Sequence, residues 1–154
     1  MPLSDIIAPD GIIPNLRVSS KRQVLQEIAR RAALVANRSE REIFDTLNER
    51  ERLGSTGAGN GIAFPHGNLP RLERLIGLFA RLETAVEFDA IDGQPVDLVF
   101  VLLAPEGAGA DHLKALSRIA RLTRDPVNLQ RLRAARDEND LKAALAVPVT
   151  SNAA

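Results

Sequence analysis

The spacing of apolar residues predicts two amphipathic helices in the first third of the chain. Ser20-x-x-Gln23 and Ser39-x-x-Glu42 are each followed by an apolar stripe of helical period, a combination typical of a capped helix start. We therefore expect one helix that ends at about Ala36 and another that runs from Glu40 to about Arg52. The core-facing positions are Val24, Ile28, Ala32 and Val35 in the first helix and Ile43, Phe44 and Leu47 in the second.

The middle of the chain has the pattern of a covered β-sheet. Leu75–Leu82 and Val96–Leu103 are nearly continuous apolar runs of strand length, as expected for central strands with helices on both faces. Ile12–Val18 is a possible first strand. Val86–Phe88 alternates like a short edge strand, and Asp92-Gly93 predicts a turn.

Helical spacing returns after Pro105. It predicts a helix over residues 111–123 with Asp111 as its cap, a second helix that begins at Asp125-Pro126, and a short helix over residues 138–145. Along the chain, helices are followed by strands and then by helices again. This order predicts an α/β fold, a mixed β-sheet flanked by helices on both faces in a single domain. We assign residues 1–147 to that domain and residues 148–154 to a flexible C-terminal tail.

Composition excludes several functional classes. The 20 Lys and Arg residues balance the 20 Asp and Glu residues, and Trp and Tyr are absent, so nucleic acid is not an expected partner. The absence of Cys excludes disulfides, thiol catalysis and thiolate metal sites, and fits a reducing compartment. No signal peptide and no apolar run near the ~20 residues of a membrane span is present, so we expect a cytoplasmic protein without membrane insertion.

The most informative segment is glycine-rich and ends in a histidine, running from Gly54 to Gly67. Pro65 fixes its own backbone torsion and favours an extended Phe64, so Ile62–Pro65 is predicted to be a strand end that presents His66 at a loop. Such a placement suits a functional residue. The local sequence is equally compatible with an ordinary histidine in a turn.

Three kinds of site are not supported by the sequence of this segment: a metal site, a serine nucleophile and a P-loop. The two histidines, His66 and His112, lack the neighbouring ligands of a metal site, and neither Ser55 nor Ser117 lies in a Gly-x-Ser-x-Gly motif. The glycine spacing lacks the Lys of a phosphate-binding P-loop. Backbone N–H groups and the hydroxyls of Ser55 and Thr56 suit a phosphoryl group, although the loop alone favours a simple helix-to-strand connection.

The same residues resemble the signature of a known family. The run from Arg50 through Gly54-Ser55-Thr56-Gly57 to Pro65-His66-Gly67 is similar to type-2 enzyme IIA domains, the fructose/mannitol-like class of the bacterial phosphotransferase system. The similarity continues through residues 82–84, 88–97 and 111–117, and thus covers nearly the whole chain. A stand-alone domain of this length most resembles the nitrogen-related enzyme IIA. Phe64 replaces the aliphatic residue expected there, which changes the predicted partner surface more than the chemistry.

The resemblance implies a set of roles. His66 would accept a phosphoryl group, His112 would stabilise it, and Arg52 would neutralise its charge or contact a partner. Further contacts to the phosphoryl group are expected from Ser55, Thr56 and Gly67. Neither a metal nor another cofactor is required.

The resemblance also implies partners. The donor would be a small phosphohistidine carrier protein of the HPr type, and regulatory targets such as a transporter or a sensor kinase would distinguish the phosphorylated from the free form. Two alternatives remain at this point: a sugar-specific enzyme IIA that passes phosphate to a fructose/mannitol-type permease, and a purely regulatory binding module without phosphotransfer.

Overall fold

A mixed β-sheet lies between two layers of helices in the computed structural model, which describes residues 3–146. A short 3₁₀-helix, Leu3–Asp5, precedes the main elements. The strands are β1 (Ile7–Leu16), β2 (Gly57–Gly59), β3 (Ile62–Ala63), β4 (His66–Leu69), β5 (Ile76–Val86) and β6 (Val96–Pro105). The helices are α1 (Lys21–Ala36), α2 (Glu40–Arg52), α3 (Gly109–Arg124), α4 (Pro126–Ala134) and α5 (Glu138–Ala146). The tail predicted over residues 148–154 lies outside the described residues.

The sheet is ordered β1-β5-β6-β3-β2, and β4 also pairs with β6. β5 and β6 form a long antiparallel pair, whereas β1 is parallel to β5, and β3 and β4 are parallel to β6. The two predicted central strands are therefore adjacent in the middle of the sheet. Their continuous apolar sequences follow from burial on both faces.

Alternate side chains of the central strands supply two separate cores. Leu78 and Val101 face a core shared with α1 and α2, while Phe79 and Phe100 face one shared with α3, α4 and α5. The rings of Phe79 and Phe100 lie 4.9 Å apart between centroids. This arrangement confirms the predicted fold, a single-domain α/β sandwich.

Three of the predicted helix caps are confirmed and a fourth is wrong. Ser20 Oγ accepts from the Gln23 amide and Ser39 Oγ from the Glu42 amide, both at 3.2 Å, and Asp125 caps α4. The Gln23 side chain, however, accepts from Ser19, so the reciprocal bond of a full capping box is not made. Asp111 is not a cap, because α3 begins two residues earlier, at Gly109. Ala108 is the N-cap residue, and Asp111 lies in the first turn of the helix.

Two strand predictions were wrong, the first in its boundaries and the second in its existence. β1 begins at Ile7, five residues before the predicted start, and its pairing with β5 shifts register between Ile7 and Ile12. Pro9 and Gly11 lie inside that irregular stretch and mask its strand pattern. Val86 ends β5 and no edge strand follows it, because Phe88 instead turns into the core beneath α1 and α2, where it is fully buried.

Within residues 3–146, none of the helices combines the length and the apolar character needed to span a bilayer.

Candidate functional site

His66 is the first residue of β4, and not a loop residue as predicted. Ala63 pairs with Val99 and His66 with Leu102, so β3 and β4 follow β6 in one unbroken register on both sides of Phe64 and Pro65. The strand is interrupted because Pro65 has no N–H, although its carbonyl still accepts from the Leu102 amide at 3.1 Å. The imidazole is thus attached to a backbone held by the central sheet.

The contacts of the His66 ring define its tautomer. Nδ1 lies 2.8 Å from the carbonyl oxygen of Phe64, and because a carbonyl only accepts, Nδ1 carries the proton. Nε2 therefore has the free lone pair. It accepts a hydrogen bond from Nε of Arg50 at 3.3 Å, and Nη1 of the same guanidinium donates to the Gly54 carbonyl at 2.9 Å.

Gly67 permits the close approach of α2 to β4. A Cβ atom at this position would lie 2.6 Å from Cγ2 of Thr46, nearer than side-chain carbons approach one another. The Thr46 hydroxyl is itself fixed by donating to the Glu42 carbonyl at 2.8 Å. The absence of a side chain at Gly67 thus brings Arg50, one turn further along α2 than Thr46, within reach of His66.

His112 approaches from the first turn of α3. Its ring centroid lies 5.4 Å from that of His66, with the rings at 73°. Nε2 of His112 is buried and has no hydrogen-bond partner among the described residues. Burial lowers the pKa of His112, and the neighbouring His66 lowers it further by charge repulsion. The ring is therefore neutral at neutral pH, and its buried Nε2 is left without a hydrogen-bond partner among the described residues.

An open cavity of about 560 Å³ joins these groups. Its lining residues are Thr46, Glu49, Arg50, Arg52, Leu53, His66, Gly67, Asn68 and His112. Four predicted site residues are thus brought together: His66, His112, Gly67 and Arg52, the last of these exposed at the end of α2. The arrangement of two neutral imidazoles and two guanidinium groups around an open space suits a small anion.

Ser55 and Thr56 do not line this cavity. The Ser55 hydroxyl donates to the Phe88 carbonyl, and the Thr56 amide donates to the carboxylate of Glu51. The glycine-rich segment forms β2 and the turn into β3, where Asn60 and Gly61 have φ of 57° and 78°. The structure therefore favours the helix-to-strand connection for this segment, and phosphoryl contacts from Ser55 and Thr56 remain a prediction that this geometry does not support.

The sequence predicts a role for Arg52 and none for Arg50, although Arg50 is the cation that contacts His66. Arg50 lies four residues after Thr46, and hence on the face of α2 that packs on Gly67. That spacing is a usable signal only once the Thr46–Gly67 contact is known. Among residues 3–146, no group of three or more His, Asp or Glu side chains is placed to hold a metal ion.

Comparison with known proteins identifies the class to which this fold and site belong. Residues 5–147 match the family model described as "Phosphoenolpyruvate-dependent sugar phosphotransferase system, EIIA 2", and the chain belongs to this family, whose members are phosphotransferase components. The resemblance to the nitrogen-related branch is also confirmed. A nitrogen regulatory protein from Bradyrhizobium diazoefficiens is 56% identical over 148 residues, covering 96% of this chain and 97% of that protein.

Two further relatives agree. The nitrogen regulatory protein of Escherichia coli is 40% identical over 140 residues, which cover 90% of this chain and 86% of that protein. The crystal structure of nitrogen regulatory protein IIA-Ntr from Neisseria meningitidis has a TM-score of 0.88 and 34% identity, over 93% of this chain and 98% of that one.

Proposed function

We propose that this protein is a phosphocarrier whose His66 accepts a phosphoryl group from a phosphohistidine on a small HPr-like carrier protein. The observation that carries the proposal is the tautomer of His66. The Phe64 carbonyl retains the proton on Nδ1, so the Nε2 lone pair is directed to Arg50 and the cavity without the help of a separate base.

The transfer step balances without a metal or a nucleotide. The Nε2 lone pair of His66 forms a bond to phosphorus while the nitrogen–phosphorus bond of the donor breaks, and its electron pair returns to the donor imidazole. The proton on Nδ1 stays in its hydrogen bond to Phe64 throughout. Because one nitrogen–phosphorus bond replaces another, the main tasks of the site are positioning and charge stabilisation.

Arg50 is the group best placed for charge stabilisation. Its hydrogen bond to Nε2 must break when that lone pair is used, which frees the Nε–H to donate to a phosphoryl oxygen. His112 lines the same cavity with an Nε2 atom that has no partner among the described residues, and Arg52 contributes an exposed, solvent-screened charge. Gly67 acts by permitting the approach of α2.

Regulation follows from the surface around the site. Leu53, which is 86% exposed, lines the cavity directly after α2, and Leu113, which is 69% exposed, follows the lining residue His112 in α3. A phosphoryl group brings about −1.5 to −2 charges next to this apolar rim, which changes the desolvation cost of any protein docked on it. Partners such as a transporter or a sensor kinase would therefore bind the two forms with different affinity. The name of the relatives, nitrogen regulatory protein, supports this role.

The experiment is transfer of labelled phosphate from a phosphorylated HPr-like carrier to the purified protein. We expect stoichiometric, acid-labile and alkali-stable labelling that His66→Ala abolishes. Undiminished labelling of His66→Ala would refute the acceptor. Absence of labelling in the wild type, together with retained partner binding, would favour the purely regulatory module. Onward transfer to a fructose/mannitol-type permease would favour the sugar-specific alternative.

A further inference from the structure

A buried carboxylate lies directly behind the site. The Glu51 side chain is 3% exposed and follows Arg50 in α2, but Glu51 does not line the cavity. A buried carboxylate is costly unless it is paired and hydrogen-bonded. Two partners meet this need: Nζ of Lys21 at 3.0 Å, and the backbone amide of Thr56 at 3.1 and 3.3 Å from the two carboxylate oxygens.

Hydrogen bonds continue from this ion pair to the reactive imidazole. The Thr56 amide donates to Glu51, and the Thr56 carbonyl accepts from the Phe64 amide at 3.1 Å. The Phe64 carbonyl in turn accepts from Nδ1 of His66 at 2.8 Å. Each member donates to or accepts from the next without a gap, so Lys21, Glu51, Thr56, Phe64 and His66 form a continuous series, here called the anchor series.

The backbone of Phe64 depends on its hydrogen bond to Thr56 more than any other member of the series does. It lies in the break between β3 and β4, outside the pairing of Ala63 and His66 with β6, and the Phe64–Pro65 peptide has no N–H to donate. The Thr56 carbonyl accepts from the Phe64 amide, and within residues 3–146 the Thr56 amide donates only to the Glu51 carboxylate. The orientation of the Phe64 carbonyl thus depends on the position of Glu51.

We infer that Glu51 is a positioning residue for phosphoryl transfer: paired with Lys21, it fixes Thr56 and through it the Phe64 carbonyl, which retains the proton on Nδ1 of His66. This inference rests on the proposed function, because the tautomer matters only if Nε2 is the nucleophile. Glu51 does not touch the phosphoryl group. A displacement near 1 Å at a reacting centre lowers rates by up to about 100-fold, so a loosened carbonyl is sufficient to slow transfer.

The experiment compares three variants of the full chain. Glu51→Gln keeps an oxygen acceptor for the Thr56 amide, Glu51→Asp withdraws the carboxylate by one methylene, and Glu51→Ala removes the acceptor. Glu42→Gln is the matched control, because Glu42 pairs with Arg38 at the opposite end of the same helix. The first readout is ¹⁵N NMR of the two imidazoles in the unphosphorylated protein, which distinguishes protonated from unprotonated ring nitrogens and needs no carrier.

We expect a protonated Nδ1 and an unprotonated Nε2 at His66 in the wild type, in Glu42→Gln and nearly so in Glu51→Gln. Glu51→Asp and Glu51→Ala should move both His66 shifts towards the average of the two tautomers. Transfer from the carrier should fall about 10- to 100-fold in kcat/KM for Glu51→Ala, with partial recovery in Glu51→Gln.

The outcomes separate the two proposals. Wild-type ring shifts in a folded Glu51→Ala or Glu51→Asp protein would overturn the positioning role while leaving His66 as the acceptor. A different outcome combines altered ring shifts in the Glu51 variants with a wild-type protein that takes no label from the carrier. This outcome would support the anchor series and overturn the phosphocarrier proposal. If Glu51→Ala does not fold, the Asp variant decides the question by the same shifts.

Discussion

Replacement of Arg50 tests which cation serves the phosphoryl group. Arg50→Ala removes the donor that lies 3.3 Å from Nε2 of His66, whereas Arg52→Ala removes an exposed charge from the rim of the same cavity. Loss of one preorganised donor to a developing oxyanion costs about 10²–10³ in rate. Arg50 is only partly buried, so solvent screening reduces the expected loss in kcat/KM to about 10- to 100-fold.

For Arg52→Ala we expect a loss of no more than about fivefold, the range of an exposed charge worth ~0.2–1 kcal/mol. The assay is rapid-quench transfer from a labelled carrier at two salt concentrations, with Arg41→Ala as the control, because Arg41 is exposed at the start of α2. Arg50→Lys should recover part of the rate, since it keeps the charge but loses the planar donors. Equal effects of Arg50→Ala and Arg52→Ala, or a larger effect of Arg52→Ala, would refute the reasoning.

Three other perturbations have defined outcomes. Gly67→Ala should lower the free energy of unfolding by about 1–3 kcal/mol, because the added Cβ would clash with Thr46. Adding Thr46→Ser to this variant should restore most of the lost stability. Denaturant unfolding measures both effects, and an unaltered midpoint for Gly67→Ala would contradict the packing. The pKa of His112 is lowered by burial and then by His66, so as pH falls below about 6.5 the unfolded chain binds a proton that the folded chain resists. Stability should therefore fall towards acid pH more steeply in the wild type than in His112→Gln, and parallel pH profiles would contradict the shift. Partner affinity should differ between phosphorylated and free protein, and equal affinities by calorimetry would remove the switch.

The fold was largely predictable because its local signals agree with its packing. Ser39 and the apolar positions Ile43 and Leu47 define α2, and the structure uses the same cap and buries the same residues. The edge strand at Val86–Phe88 failed because alternation over three residues cannot distinguish a strand from a loop that buries one aromatic ring. The apolar packing of Phe88 beneath α1 depends on contacts far away in the sequence.

The site was predictable only in part. Pro65-His66-Gly67 identifies one imidazole from local sequence, but His112 is 46 residues away and became a site residue only through the family resemblance. The structure explains why the two imidazoles lie together. β4 and β6 run parallel, so His66 lies near the end of β6 from which the chain continues into α3 and His112. Arg50 and Glu51 were missed as individual residues because their roles depend on which turn of α2 faces β4 and β2, a property of packing and not of composition.

The most direct test of the account is the position of the phosphoryl group on the phosphorylated protein. Heteronuclear NMR that couples ³¹P to the imidazole nitrogens distinguishes the two ring atoms of His66. The account predicts a bond from phosphorus to Nε2, with the proton still on Nδ1 against the Phe64 carbonyl. Phosphorus bonded to Nδ1, or to His112, or to neither imidazole would contradict it.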